Sequence, residues 1–292
     1  MHKAGFVNII GNPNVGKSTL MNCLVGENLS IITPKAQTTR HRIFGILNSE
    51  KYQIVFSDTP GIIRPSYELQ RSMMKFIKDS FKDADIILLM VEPQQRSIKD
   101  EIILKKIKLT ELPVLILINK IDISNQNEIE QDVDFWKNEI SNSEVLPISA
   151  LNNFNIDILL NKLISFLPKS PAYFPKDAIT DKPKRFFVSE IIREKILLYY
   201  KEEIPYAVEV IVESFKNEKD IIKIETIINV ERESQKGIMI GHKGKGLTRI
   251  GKEARKELEK FFVKKIFLKL FVKVEKNWRK NTNQLKRFGY KN

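Results

Sequence analysis

The residues Gly11-Asn12-Pro13-Asn14-Val15-Gly16-Lys17-Ser18 follow the spacing G-x-x-x-x-G-K-[ST] between a predicted strand and a predicted helix. Glycines there let backbone amides approach a β-phosphate, and the helix start adds its positive dipole end. Lys17 can reach β and γ oxygens, the Ser18 hydroxyl can ligate Mg²⁺, and Thr19 continues the same first turn. Asp58-Thr59-Pro60-Gly61 follows another predicted strand, where an aspartate can hold Mg²⁺ through its water and the Gly61 amide can meet a γ-phosphate. Asn119-Lys120-Ile121-Asp122 comes directly after a third strand, at the carboxyl edge where α/β sheets bind ligands. The Asp122 carboxylate can accept N1–H and the 2-amino group of guanine, which adenine does not offer, so GTP is favoured over ATP. Ser149-Ala150-Leu151, after the next strand, can supply a backbone amide to guanine O6.

These segments need a scaffold that delivers them to one edge. Short apolar runs at 6–10, 53–56, 86–91, 114–118 and 145–148 read as strands, and the last three are nearly continuous in apolar residues, as buried parallel strands are. Helical spacing at 17–26, 67–82, 97–109, 128–141 and 153–166 alternates with them, which predicts an α/β domain with a mostly parallel sheet and helices on both faces. The domain is expected over 1–168. A proline-rich, aperiodic stretch at 169–183 reads as a linker. Beyond it the pattern changes to an α+β domain over 184–276: a helix at 184–201, strands at 207–215 and 221–230, a glycine-rich turn at 241–246, a helix from Leu247 and a strand at 266–274. Residues 277–292 form a basic and aromatic tail.

Charge separates the two halves. Of the formal net charge of +13 in 292 residues, residues 1–174 contribute +1, residues 175–235 −2 and residues 236–292 +14. Such a concentration suits a polyanion more than the alternative, a solvated basic face kept for solubility. Within it, Gly241-His242-Lys243-Gly244 fits the G-x-x-G loop of a KH domain, in which backbone amides clamp nucleotide phosphates, with Lys243, Lys245 and Arg249 beside it; the same four residues also suit a helix-to-helix turn. After Glu275 there is no acidic residue, whereas Lys276, Trp278, Arg279, Lys280, Phe288 and Tyr290 offer cations for phosphates and rings for stacking, or else a disordered basic tail.

The 42% apolar and 29% charged composition fits a packed globular chain. No apolar run approaches the roughly 20 residues that cross a bilayer. One cysteine, Cys23, and three scattered histidines permit neither a disulfide framework nor a Cys/His zinc site, so a cytoplasmic location is expected.

With these motifs in this order, the chain resembles the bacterial Era family of GTP-binding proteins over nearly its whole length. Lys35-Ala-Gln-Thr38-Thr39-Arg-His-Arg42 looks like that family's first switch, Pro171–Pro175 its linker and Glu203-Ile-Pro-Tyr206 the entry to a type II KH domain. The resemblance implies a P-loop GTPase with GTP/GDP and Mg²⁺ as ligands, Lys17, Thr39 and Gly61 as the groups at the reacting phosphate, and Ser18, Thr39 and Asp58 around the metal, Thr39 being preferred over Thr38. It implies binding to the 3′ end of 16S ribosomal RNA, a part in 30S subunit maturation, action as a monomer, no DNA partner and at most peripheral membrane contact. Asn14 matches the position that binds K⁺ in related GTPases, which makes K⁺ dependence an expectation. Ile62 stands after Gly61, where Ras-like proteins carry a water-orienting glutamine, so slow intrinsic hydrolysis is expected. The alternatives are an RNA-binding protein with a structural nucleotide site, a GTPase assisting an RNA-modifying enzyme, and a peripheral membrane GTPase.

Overall fold

The computed structural model describes residues 1–291, so Asn292 of the tail lies outside the described residues. The chain divides into two compact units, one of residues 1–66 and 70–181, the other of 182–291 with 67–69.

The first unit is built on β1 (Lys3–Gly11), β2 (Ile43–Asn48), β3 (Tyr52–Asp58), β4 (Ile86–Val91), β5 (Val114–Ile118) and β6 (Ser143–Pro147), ordered β2-β3-β1-β4-β5-β6. All neighbouring pairs are parallel except β2 with β3. Every residue of β4 and β5 is buried, which explains their unbroken apolar sequence. The helices are α1 (Lys17–Val25), α2 (Glu68–Ser80), α3 (Glu101–Lys108), α4 (Gln126–Glu139) and α5 (Ile156–Phe166). Three helix starts fall away from their expected positions. Asp100 caps α3 by accepting from the amides of Ile102 and Ile103, so that helix begins at Glu101 rather than 97. Asn125 caps α4 two residues early, and Asn155, in a left-handed conformation, delays α5 from 153 to Ile156.

Two corrections concern the sheet's open side. Strand β2 was not anticipated; it pairs with β3 from Ile43↔Asp58 to Asn48↔Gln53 and forms a hairpin edge. The proline-rich stretch expected to be a linker is laid along that edge through residue 181. The Ile46 amide donates to Ile179 O (2.9 Å), the Phe44 amide to Asp181 Oδ1 (3.0 Å), and the amides of Tyr173 and Phe174 to Gln53 Oε1 (2.7 and 3.0 Å).

The second unit runs α6 (Lys184–Tyr199), β7 (Glu209–Asn217), β8 (Ile221–Val230), α7 (Glu233–Ile240), α8 (Lys245–Phe262) and β9 (Lys265–Val274). Its sheet has the order β7-β8-β9, antiparallel then parallel, and β9 is an edge strand. Val188, Ile192 and Ile196 of α6, Val210 of β7, Ile224 and Ile228 of β8, and Ile250, Ala254 and Leu258 of α8 share one core. Helix α7 corrects the expected order: the apolar segment before the glycine turn is itself helical. The tail is also ordered. A 3-10 turn at Trp278–Lys280 leads to α9 (Thr282–Arg287), capped by Asn281, and the Tyr290 hydroxyl donates to the buried Glu209 carboxylate at 2.7 Å.

Candidate nucleotide site and nucleic-acid interface

The ends of β1, β3, β5 and β6 bring the predicted nucleotide segments to one edge of the first sheet. Gly11 closes β1 against β4: a Cβ there would lie 2.3 Å from Met90 O. Gly16 has φ +100°, and a Cβ on it would meet Asn119 Nδ2 at 2.3 Å, so no other residue fits between loop and base corner. Helix α1 starts at Lys17 without a side-chain cap, which leaves its first amides to a phosphate. The Lys17 ammonium donates to Gly11 O (3.1 Å) and Asn12 O (2.9 Å) across the loop. Burial lowers its pKa to about 8, against the opposing pull of Asp58.

Beside it, Ser18 Oγ donates to Asp58 Oδ2 at 2.7 Å and lies 2.9 Å from Thr39 Oγ1, which is itself 3.4 Å from Asp58 Oδ2. Asp58 Oδ1 is buried with no hydrogen-bond partner, and burial raises the pKa of that carboxyl despite the Ser18 bond and the charge of Lys17. Two hydroxyls and an under-compensated carboxylate are the oxygen donors a hard divalent cation takes, so the residues fit Mg²⁺. Thr38 is held elsewhere: its hydroxyl donates to Lys35 O (2.6 Å) and lies 2.7 Å from Thr33 Oγ1. Thr59 is buried and donates to Ile9 O (2.8 Å), and Pro60 is buried beside it. Gly61 touches the phosphate loop so closely that a Cβ would sit 2.7 Å from Pro13 Cα, and the next amide, that of Ile62, donates to Gly11 O (3.0 Å). The Ile62 side chain is fully buried among Ile10, Met74 and Ile77, away from the phosphate site. Asn14, at φ +67°, donates its side-chain amide to Pro34 O (2.9 Å). Asn12 binds the segment before α3, donating to Ser97 O (3.1 Å) and accepting from the Lys99 amide (3.1 Å). Thr19 and Val15 complete the loop; Val15 is fully buried, and Thr19 lines a cavity of about 390 Å³ walled by the phosphate loop, residues 31–34 and 37–39, Gly61 and Lys120.

At the base corner, Asn119 Nδ2 donates to Val15 O (2.8 Å) and its Oδ1 accepts the Ala150 amide (2.9 Å). Ala150 thus serves the corner's own network in this structure, whereas Leu151 beside it is exposed. Ser149 Oγ donates to Asp122 Oδ1 (2.6 Å), which aims one carboxylate oxygen and leaves an exposed acceptor. Lys120, at φ +67°, pairs with Glu92 at 2.7 Å. Residues 31–34 of the cavity wall were not singled out from sequence, because nothing but their proximity in the fold marks them.

In the second unit, Gly241 caps a 3-10 turn, His242–Gly244, between α7 and α8. Gly241 is fixed by packing, since a Cβ would meet Gly246 N at 2.9 Å, while space around Gly244, at φ +76°, is open. His242, Lys243 and Lys245 are exposed at this turn. A groove of about 620 Å³ runs from Gly244 between α8 and β9, floored by Leu247, Leu268 and Leu270 and flanked by Lys252 and Arg255. Those two cations were not among the expected RNA residues, although their spacing from Thr248 puts them on one helix face. Arg249 is on a different face: its guanidinium lies 4.0 Å from the Tyr199 ring centroid on α6. Trp278 is fully buried, donates to Ala207 O (2.9 Å) and packs edge-on to Phe288 at 5.4 Å, so it is a core residue and not a stacking ring. Phe288 and Tyr290 are buried likewise, and Arg279 pairs with Glu231, leaving Lys276 and Lys280 exposed.

Residues 6–120 match the family described as 50S ribosome-binding GTPase, and residues 203–279 match the KH domain family. The chain is 46% identical over 292 residues to GTPase Era of Thermoanaerobacter sp. (strain X514), covering 99% of this chain and 97% of that protein. It is 47% identical over 293 residues to GTPase Era of Syntrophus aciditrophicus (strain SB), covering 99% and 96%. A crystal structure of an Aquifex aeolicus Era variant bound to GDP.AlF4- superposes with a TM-score of 0.95 at 40% identity, covering 99% of this chain and 100% of that one. A structure of Era in complex with MgGDPNP and nucleotides 1506–1542 of 16S ribosomal RNA gives 0.95 at 39%, covering 100% of each chain. The candidate nucleotide segments and the Gly241–Gly244 turn therefore sit in a chain that belongs to the Era family of GTPases.

Proposed function

We propose that this GTPase is a slow, RNA-coupled switch that binds the 3′ end of 16S ribosomal RNA through the groove between α8 and β9 and times 30S subunit maturation in the cytoplasm, acting as a monomer. The observation that supports it is the pairing, in one chain, of a guanine-reading nucleotide site with an open glycine clamp beside an apolar groove flanked by cations. Lys17 neutralises β and γ oxygens, Gly61 presents its amide to the γ-phosphate, and Ser18, Thr39 and Asp58 would hold Mg²⁺, which would supply charge stabilisation of the phosphates. With Ile62 buried, no side chain at that position orients water, so backbone groups of the 35–42 and 58–61 segments hold the nucleophile and intrinsic turnover is slow. Asn14 would hold a K⁺ ion that supplies further positive charge; equal single-turnover rates in K⁺ and Na⁺ would remove that part of the reading. The basic groove is read as an RNA site, with no DNA partner and at most peripheral membrane contact.

The deciding experiment is a fluorescence-anisotropy titration of labelled RNA matching the 16S 3′ end against protein loaded with GDP or a non-hydrolysable GTP analogue, with scrambled RNA as control. Sequence-selective binding that differs between the two nucleotide states is expected, because a ligand shifts a switch only by its differential affinity. Equal affinity in both states refutes the coupling, and equal affinity for both RNAs refutes the ribosomal target.

A further inference from the structure

The alternation along β9 leaves something the groove does not use. Ile266, Leu268 and Leu270 turn toward the core, and the intervening residues Lys265, Phe267, Lys269, Phe271 and Lys273 occupy the sheet's opposite face. Phe267 is 46% exposed and Phe271 52%, on an edge strand, where exposed aromatic rings invite pairing with another chain unless they serve a partner. Strand β8 sets Lys223, Glu225 and Ile227 beside Phe267, Lys269 and Phe271 in register. Strands β8 and β9 therefore bring four lysines to this face, of which Lys223 pairs with Glu218 (2.8 Å) and Lys273 with Glu275 (3.5 Å). Lys269 is held over the face, 3.1 Å from Glu225 and 5.6 Å from the Phe267 ring centroid. Phe267 also lines the groove between α8 and β9, so groove and open face meet at the free edge of β9.

We propose that single-stranded RNA leaving this groove crosses the β9 edge and stacks on Phe267 and Phe271, with the flanking lysines meeting its phosphates. This rests on the groove being the RNA site. The occupant follows from charge and continuity: interleaved cations and half-exposed rings are the composition of a stacking platform, and it abuts a clamp for the same polymer. The two rings are roughly 13 Å apart along the strand, so they take two separate bases.

The test uses the full chain and a series of RNA oligonucleotides matching the 16S 3′ end, lengthened one nucleotide at a time from four to twelve. Affinity of the wild type should keep rising beyond the roughly four nucleotides that a glycine clamp holds. In a Phe271→Ala variant that further gain should shrink by roughly fivefold or more, with tetranucleotide affinity changed less than about twofold, and a Phe267→Ala/Phe271→Ala variant should lose more of it. Phe271→Tyr should retain the gain. Trp136 and Trp278 are fully buried, so an indole introduced by Phe271→Trp should be quenched by the longer oligonucleotides and not by the tetranucleotide. An unchanged length dependence in the Phe271→Ala variant, or an equal loss on all lengths there, overturns the platform. If Gly244→Asp abolishes tetranucleotide binding in that case, the groove reading survives alone. If Gly244→Asp affects no oligonucleotide, the groove reading falls and takes the platform with it. A dimer in sedimentation that the double variant dissolves assigns the face to self-association and also overturns the proposal.

Discussion

The side-chain amide of Asn119 donates to the backbone carbonyl of Val15 at 2.8 Å, binding the base corner to the phosphate loop across 104 residues of sequence. Its other end accepts the Ala150 amide at 2.9 Å, so one buried side chain joins three nucleotide segments. Asn119→Ala leaves a buried carbonyl and a buried amide without this partner, which costs about 2–4 kcal/mol. A fall of several degrees in Tm of the nucleotide-free protein and a loss of GDP affinity of at least tenfold are expected in calorimetry. Unchanged melting would show that the three segments hold their places independently.

Asp122 should decide which base is accepted. Asp122→Asn replaces an acceptor oxygen with a donor, which opposes the N1–H and 2-amino group of guanine and suits xanthine. GTP affinity should drop by about 10²- to 10⁴-fold while XTP affinity rises. Ser149→Ala removes only the bond that aims the carboxylate (2.6 Å) and should weaken GTP by less than about tenfold. Competition of GTP, ATP and XTP for a fluorescent nucleotide reads all three.

Nucleotide affinity should depend on pH through Lys17. Burial lowers its pKa to about 8 in the nucleotide-free protein, and bound phosphates favour the charged form, so GDP binding takes up a proton near pH 8. Measured in EDTA, GDP affinity should be flat below pH 7 and fall by about tenfold per unit above 8, a dependence that Lys17→Arg should abolish. The same shift has a signature in stability. Between about pH 8 and the ordinary lysine pKa the unfolded chain holds the proton that the folded one has released, so this residue makes the apo protein more stable as pH rises through that window.

Trp278→Ala should cost about 3–5 kcal/mol of stability in the second unit, because it empties a fully buried site and leaves Ala207 O unpaired. Trp278→Phe should be milder, and RNA affinity of that folded variant should stay within about twofold of wild type. A large affinity loss with unchanged melting would return Trp278 to the RNA surface.

The candidate nucleotide site was readable from sequence because each of its segments is short, contiguous and placed at a strand end. Gly11 to Ser18, Asp58 to Gly61 and Asn119 to Asp122 carry their chemistry in consecutive residues, and the parallel strands before them announce themselves by unbroken apolar runs. The concentration of basic charge in residues 236–292 was readable because charge is counted along the chain. What sequence could not supply was the partner of each side chain. Trp278, Phe288 and Tyr290 sit among lysines and so resemble stacking rings, but contacts to Ala207 and Glu209, distant in sequence, bury them. Arg249 and Lys252 are three residues apart on one helix, yet α6 claims the first and the groove the second, because α8 packs with different neighbours on its two sides. Choosing Thr39 over Thr38 rested on resemblance; in the fold, Thr38 is spent on Thr33 and Lys35, while Thr39 meets Ser18 and Asp58. Local order and composition determine which elements form and which chemistry they carry. Only the packing of elements far apart in sequence decides which polar and aromatic groups remain open to a ligand, since burial and hydrogen-bond partnership belong to the fold and not to the residue.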